Sequence, residues 1–258
     1  MGGLKPNSMK TLTELESQIS NLYARFFNEV GIDKEKGIVQ GTSYIFQGAP
    51  FIGSLYPNVK KKILIVGLDI GSDEGMHTFD SRRQIISHSA NGLSEIPAKK
   101  PFNAHFAGTY ALVFALLHDT IEKKESWQKF SSDDKETAYK AIQKHHSEIP
   151  VELLDYICFT NAHKFVTIDR KNKGGGQDRK WNKVVPMEKE LSLLKNEIAV
   201  FQPNIIVFQS PEFKSIVPIL DIDSNIRTLV TYHPAYRDRF HRSIGYIKEM
   251  ANELYPTL

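Results

Sequence analysis

The chain has a single cysteine in 258 residues. One thiol cannot close an internal disulfide, and it cannot supply the cysteine ligands of an iron–sulfur cluster or a four-cysteine zinc site. Cys158 stands between Ile157 and Phe159 in an apolar run, where a small core residue in a reducing compartment is expected. Long hydrophobic runs are also missing. None approaches the roughly 20 residues of a membrane span, and the N-terminal stretch lacks the charged-then-apolar order of a signal peptide. The expectation is a cytoplasmic protein with no membrane partner. An excess of one charge is lacking too: 33 Lys and Arg against 30 Asp and Glu leave a formal net charge of +3. That balance permits a nucleic-acid partner without requiring one, so the clustering of the basic residues decides. There is no internal repeat and no low-complexity block.

What is present is ordinary globular material, 41% hydrophobic and 24% charged, enough for a sizeable core. The length fits one large domain, with residues 1–61 an N-terminal helix and loop packed on a main body at 62–258. Leu12, Leu15, Ile19, Leu22, Phe26 and Val30 recur at helical spacing, which predicts a helix over 11–30 with Thr11 or Thr13 as its cap. The stretch 31–57, rich in glycine, proline and aromatics, predicts an ordered loop. Short apolar, β-branched runs at 62–68, 156–160, 204–209 and 227–232 predict buried strands, and helical patterns fall at 108–123, 135–146 and 187–200. Strands alternating with helices predict a three-layer α/β/α sandwich around a central, mostly parallel four-stranded sheet. Such sheets bind ligands at the carboxyl ends of their strands.

Three of the four strand ends carry groups able to do chemistry. Asp69 follows the first strand between Gly67 and Gly71, glycines that let the chain turn and a ligand come close. A carboxylate there suits a general base, a holder of water or a stabiliser of positive charge, and equally a turn aspartate that caps the next helix. Asn161 and His163 end the second strand. An amide offers a donor and an acceptor, fit for a nucleobase edge or for tying down the junction. His233-Pro234 closes the fourth strand, where a histidine can donate to a developing anion. Arg237, Arg239 and Arg242 follow, a cluster suited to phosphate, and a basic loop at 169–183 is a second such cluster. Phe102, after Pro101 and before a predicted helix, can stack on a planar ligand or anchor the core.

Taken in order, Gly-Leu-Asp-Ile-Gly, Pro-Phe, Phe-Thr-Asn-Ala-His-Lys, Gln-Pro-Asn-Ile-Ile-Val-Phe-Gln-Ser and Tyr-His-Pro-Ala-Tyr-Arg resemble the motif series of the uracil-DNA glycosylase superfamily over 62–258. The resemblance implies that family's fold and hydrolysis of the N-glycosidic bond of uracil or another deaminated base flipped out of DNA. It implies Asp69 and His233 as catalytic residues, and Gly67, Leu68, Ile70, Gly71, Phe102 (with Phe106 as its rival) and Asn161 around the base. Pro234, Ala235, Tyr236, Arg237 and Arg239 would face DNA. It implies no metal or other cofactor, a monomer, and damaged or mismatched DNA as partner. Ile70 stands where the family commonly has proline, and Ala235-Tyr236 where Ser-Pro is common. Gly71 replaces the tyrosine by which some branches exclude thymine, which on that analogy admits a wider range of bases. Two other readings compete: a nucleic-acid-binding module of the same fold without catalysis, and an actin- or sugar-kinase-like phosphate loop at 68–72.

Overall fold

The computed structural model describes residues 10–33, 37–42, 44–46, 49–68, 109, 153–167 and 185–233. Helix α1 (Leu12–Val30) begins at Thr11, the first of the two predicted caps. The Thr11 hydroxyl accepts the Glu14 N–H at 3.2 Å, and the Glu14 carboxylate accepts the Thr11 N–H at 2.7 Å. This reciprocal pair satisfies two donors that a helix start otherwise leaves bare. Gly31 ends the helix in the left-handed conformation, φ 71°. The predicted apolar face is buried through Leu15, Ile19, Leu22 and Phe26, with Tyr23 beside them.

The stretch expected as a loop instead contributes short strands. β1 (Ile32–Asp33), β2 (Ile38–Val39) and β3 (Tyr44–Phe46) join β7 (Phe165–Thr167) in a four-stranded antiparallel sheet of order β1-β2-β3-β7. Two- and three-residue strands are too short to show alternation, and the pairing that stabilises β3 comes from a strand far downstream. Neither signal is local, so a loop is what the sequence displays there.

The main sheet has five strands in the order β4-β6-β5-β8-β9. β5 (Ile63–Gly67), β6 (Ile157–Asn161), β8 (Ile205–Phe208) and β9 (Arg227–Val230) are the predicted strands, and they are mutually parallel; β9 is not buried as expected, because it lies at the sheet edge with Arg227 and Thr228 exposed. The expected count of four is corrected by β4 (Phe51–Ile52), which pairs antiparallel with β6 at the sheet edge. Tyr156 belongs not to β6 but to a 3-10 turn, Leu153–Tyr156, that leads into it. The fold is α/β with a mostly parallel sheet.

Helix α2 (Met187–Phe201) matches its predicted span to within a residue. Helix α3 (Phe213–Leu220) was not legible, because Pro218 lies inside an eight-residue helix and interrupts its pattern. Helices α1 and α2 pack on one face of the sheet, over Leu64, Val66, Cys158, Ile206 and Phe208. The alternate residues Ile63, Ile65, Ile157 and Val207, on the opposite face, are fully buried as well. The helical patterns at 108–123 and 135–146 lie outside the described residues, apart from Thr109, which is helical and buried. No helix among the described residues is long and apolar enough to cross a membrane.

Candidate functional site

Because β5, β6, β8 and β9 run parallel, their carboxyl ends lie along one edge of the sheet. The ladder pairs Gly67 with Asn161, the last residues of β5 and β6. One step past the final pairs of β8 and β9 come Gln209 and Thr231, whose N–H groups donate to Val66 and Phe208 carbonyls at 2.8 Å each. Alternation along the strands therefore aligns Asn161, Gly67, Gln209 and Thr231 in one row, on the face away from α1 and α2. Thr109 stands over that row and accepts a hydrogen bond from Gln209 Nε2 at 3.0 Å.

Asn161 is the most informative member. It is only 2% exposed, and among the described residues its Nδ2 has no hydrogen-bond partner. Leaving a buried amide donor unmatched costs about 1–3 kcal/mol, so such a group calls for a specific explanation, and a bound acceptor is one. Its Oδ1 leans over Gly67, where a Cβ would lie 2.3 Å from that oxygen. Gly67 is thus required by space: only the absence of a side chain lets the neighbouring amide lie across the end of β5. The ladder then continues beyond both strands, with Ala162 N–H donating to the Gly67 carbonyl at 2.9 Å and His163 N–H to the Leu68 carbonyl at 2.8 Å. Leu68, which leads directly into Asp69, is therefore held against the 161–163 segment.

Behind the row, on the α1/α2 face, lies a buried charged cluster. Lys164 is fully buried, and its Nζ donates to Thr160 Oγ1 at 2.7 Å and to Glu197 Oε1 and Oε2 at 3.0 and 2.9 Å. Thr160 Oγ1 lies 3.1 Å from each Glu197 oxygen, and Tyr23 OH donates to Oε1. Burial first, and then the negative charge of Glu197, push the Tyr23 phenol well above its ordinary range. About two helical turns earlier on the same side of α2, buried Glu190 accepts the Lys164 backbone N–H at 2.7 Å through Oε1, and its Oε2 lies 3.3 Å from His163 Nδ1. Ionised groups this deep persist only when paired and hydrogen-bonded, as these are. Tyr23, Glu190 and Glu197 do not stand out in the sequence as site residues. The signal that marks the two glutamates is their helical spacing among Leu194, Ile198 and Phe201 on the buried face of α2.

Of the residues picked from the sequence, Gly67, Leu68 and Asn161 come together at the ends of β5 and β6. His233 lies on the same edge, exposed, three residues past β9. By the strand order β9 is three positions from β6, about 14 Å at ordinary strand spacing. Asp69, Ile70, Gly71, Phe102, Pro234, Ala235, Tyr236, Arg237 and Arg239 lie outside the described residues, as does the basic loop at 169–183. Cys158 is a buried core residue as expected, and burial pushes its thiol well above the usual range. Among the described residues no three His, Cys, Asp or Glu side chains converge as a metal-binding group. No protein-family model matches the sequence, and no curated protein matches it.

Proposed function

We propose that the protein is a DNA N-glycosylase-like hydrolase. It would cleave the bond between deoxyribose and a flipped uracil or other deaminated base, on a three-layer α/β/α fold of the uracil-DNA glycosylase kind. The observation that carries the proposal is the buried Asn161 amide at the carboxyl end of a parallel strand, with Nδ2 lacking a protein partner among the described residues and Gly67 clearing the space beside it. Deamination replaces a ring amine, a donor, with a carbonyl, an acceptor. An amide N–H fixed in a dry site donates to the second and repels the first, because mismatched donors would leave both buried and unpaired.

In this reading DNA presents the base by flipping, which costs a few kcal/mol and least for a damaged or mismatched pair. Phe102 stacks on the ring, and Pro234, Ala235, Tyr236, Arg237 and Arg239 meet the DNA, the arginines through phosphates. Breaking the glycosidic bond leaves positive charge on the sugar and negative charge on the base. Asp69 stabilises the first charge and directs a water oxygen to the anomeric carbon, while Asn161 and His233 stabilise the second. The departing base takes up a proton, and water completes the sugar hydroxyl.

The test is release of free base from single- and double-stranded oligonucleotides carrying uracil, hypoxanthine or xanthine. The wild-type chain is expected to release at least one of them, and Asp69→Asn to lower the rate by about 10²–10⁴-fold. Tight, salt-sensitive DNA binding without base release would replace the proposal with a non-catalytic binding module, which the departures at Ile70 and Ala235-Tyr236 motivate. Unchanged activity in Asp69→Asn would remove Asp69 from the mechanism.

A further inference from the structure

Thr160 and Asn161 are neighbours in β6, and their side chains project to opposite faces of the sheet. The Asn161 face meets the ligand in the proposed reading. The Thr160 face meets the buried cluster, where its hydroxyl is held between Lys164 Nζ at 2.7 Å and both Glu197 oxygens at 3.1 Å. A β-branched side chain has few rotamers, so fixing its hydroxyl fixes the backbone that carries it. Lys164 closes the grip from the far end of the same segment, through its Nζ to Glu197 and its backbone N–H to Glu190. One face of α2 thereby clamps the chain on both sides of Asn161. The clamp is completed from α1, where Tyr23 OH donates to Glu197 Oε1 and the Lys164 ammonium lies 5.7 Å from the centre of the Tyr23 ring.

We infer that Tyr23, Thr160, Lys164 and Glu197 are positioning residues for the Asn161 amide, and that the N-terminal helix is a working part of this site. The inference rests on the reading of Asn161 as the group that recognises the base. Neither end of the cluster touches the ligand face. Its effect passes through the Thr160–Asn161 backbone, which sets where Asn161 Oδ1 lies over Gly67 and therefore where Nδ2 points. A cluster that served stability alone would, when a hydroxyl is removed, lower stability and leave the Asn161 amide where it is. A positioning cluster moves the amide in variants that remain folded.

The experiment uses the full chain labelled with nitrogen-15. The Asn161 side-chain amide signal is identified by its disappearance in Asn161→Asp. Tyr23→Phe and Thr160→Val each remove one hydroxyl and little volume, and Thr160→Ser keeps the hydroxyl as a rescue control. In folded Tyr23→Phe and Thr160→Val, the Asn161 amide signal is expected to shift or broaden, and kcat for base release to fall about tenfold with KM changed less than about twofold. Thr160→Ser is expected to retain both the signal and the rate. If Tyr23→Phe does not fold, the Thr160→Val and Thr160→Ser pair decides alone. An Asn161 signal unchanged in the folded variants overturns the inference. Should the wild-type chain release no base, the glycosylase reading falls, and the amide signal still reports whether the cluster positions Asn161.

Discussion

At the scale of single residues, the Gly67 and Asn161 pair ties local packing to chemistry most tightly. A Cβ on Gly67 would sit 2.3 Å from Asn161 Oδ1, inside any tolerable contact, and Asn161 is buried on its other sides. Gly67→Ala must therefore displace the amide. Overpacking of this kind costs about 1–3 kcal/mol, visible as a lower urea midpoint with an unchanged slope. Base release is expected to suffer more than that stability loss explains, because in the proposed reading the displaced group is the one that recognises the base. Activity that simply tracks the folded fraction would show that Gly67 matters for packing alone. Asn161 was legible in the sequence because a polar residue directly after an apolar run marks the end of a strand. The residues behind it were not. Tyr23, the Thr160–Lys164 segment and Glu197 are far apart in the chain, and lysine and glutamate are almost never fully buried unless paired. Only the folded chain shows that they are paired with each other.

At the scale of elements, the four parallel strands and α2 stood out because each is a continuous apolar or amphipathic run with its own periodicity. β4 did not. It is a two-residue strand whose place depends on β6, and its attachment is made by backbone groups: Gly53 N–H donates to the Ile157 carbonyl at 2.8 Å and Leu55 N–H to the Asp155 carbonyl at 2.9 Å. A Cβ on Gly53 would meet the Asp155 carbonyl oxygen at 2.2 Å and its carbon at 2.4 Å. Main-chain atoms cannot swing aside as a side chain does, so Gly53→Ala is expected to cost at least as much as Gly67→Ala, about 3 kcal/mol. It is also expected to leave the Asn161 amide signal in place, since the strain falls at the opposite end of β6. Equal urea midpoints for Gly53→Ala and wild type would show that β4 is not held as described. The helix α3 illustrates a different limit: a proline inside a short helix is tolerated by the fold but hides the helix from a reading by pattern.

At the scale of the whole molecule, alternation of strand and helix was enough to predict an α/β protein with a parallel sheet, and parallel strands place their chemistry on one edge. The N-terminal region was expected only to pack on the main body. It contributes α1 and three strands of the small sheet, and through Tyr23 it reaches the cluster behind Asn161. The net charge of +3 gives little attraction for DNA by itself, so recognition in the proposed reading falls to the site and not to a general basic field. In the proposed reading Asn161 recognises a flipped, deaminated base. The most direct test is the single-turnover rate of free-base release from an oligonucleotide with one deaminated base, comparing wild type with Asn161→Ala at matched DNA occupancy. Measurable release by wild type is expected, with a fall of about 10- to 100-fold in the variant, the worth of one buried hydrogen bond to a developing charge. Equal rates in the two proteins, or no free base from either, would contradict it.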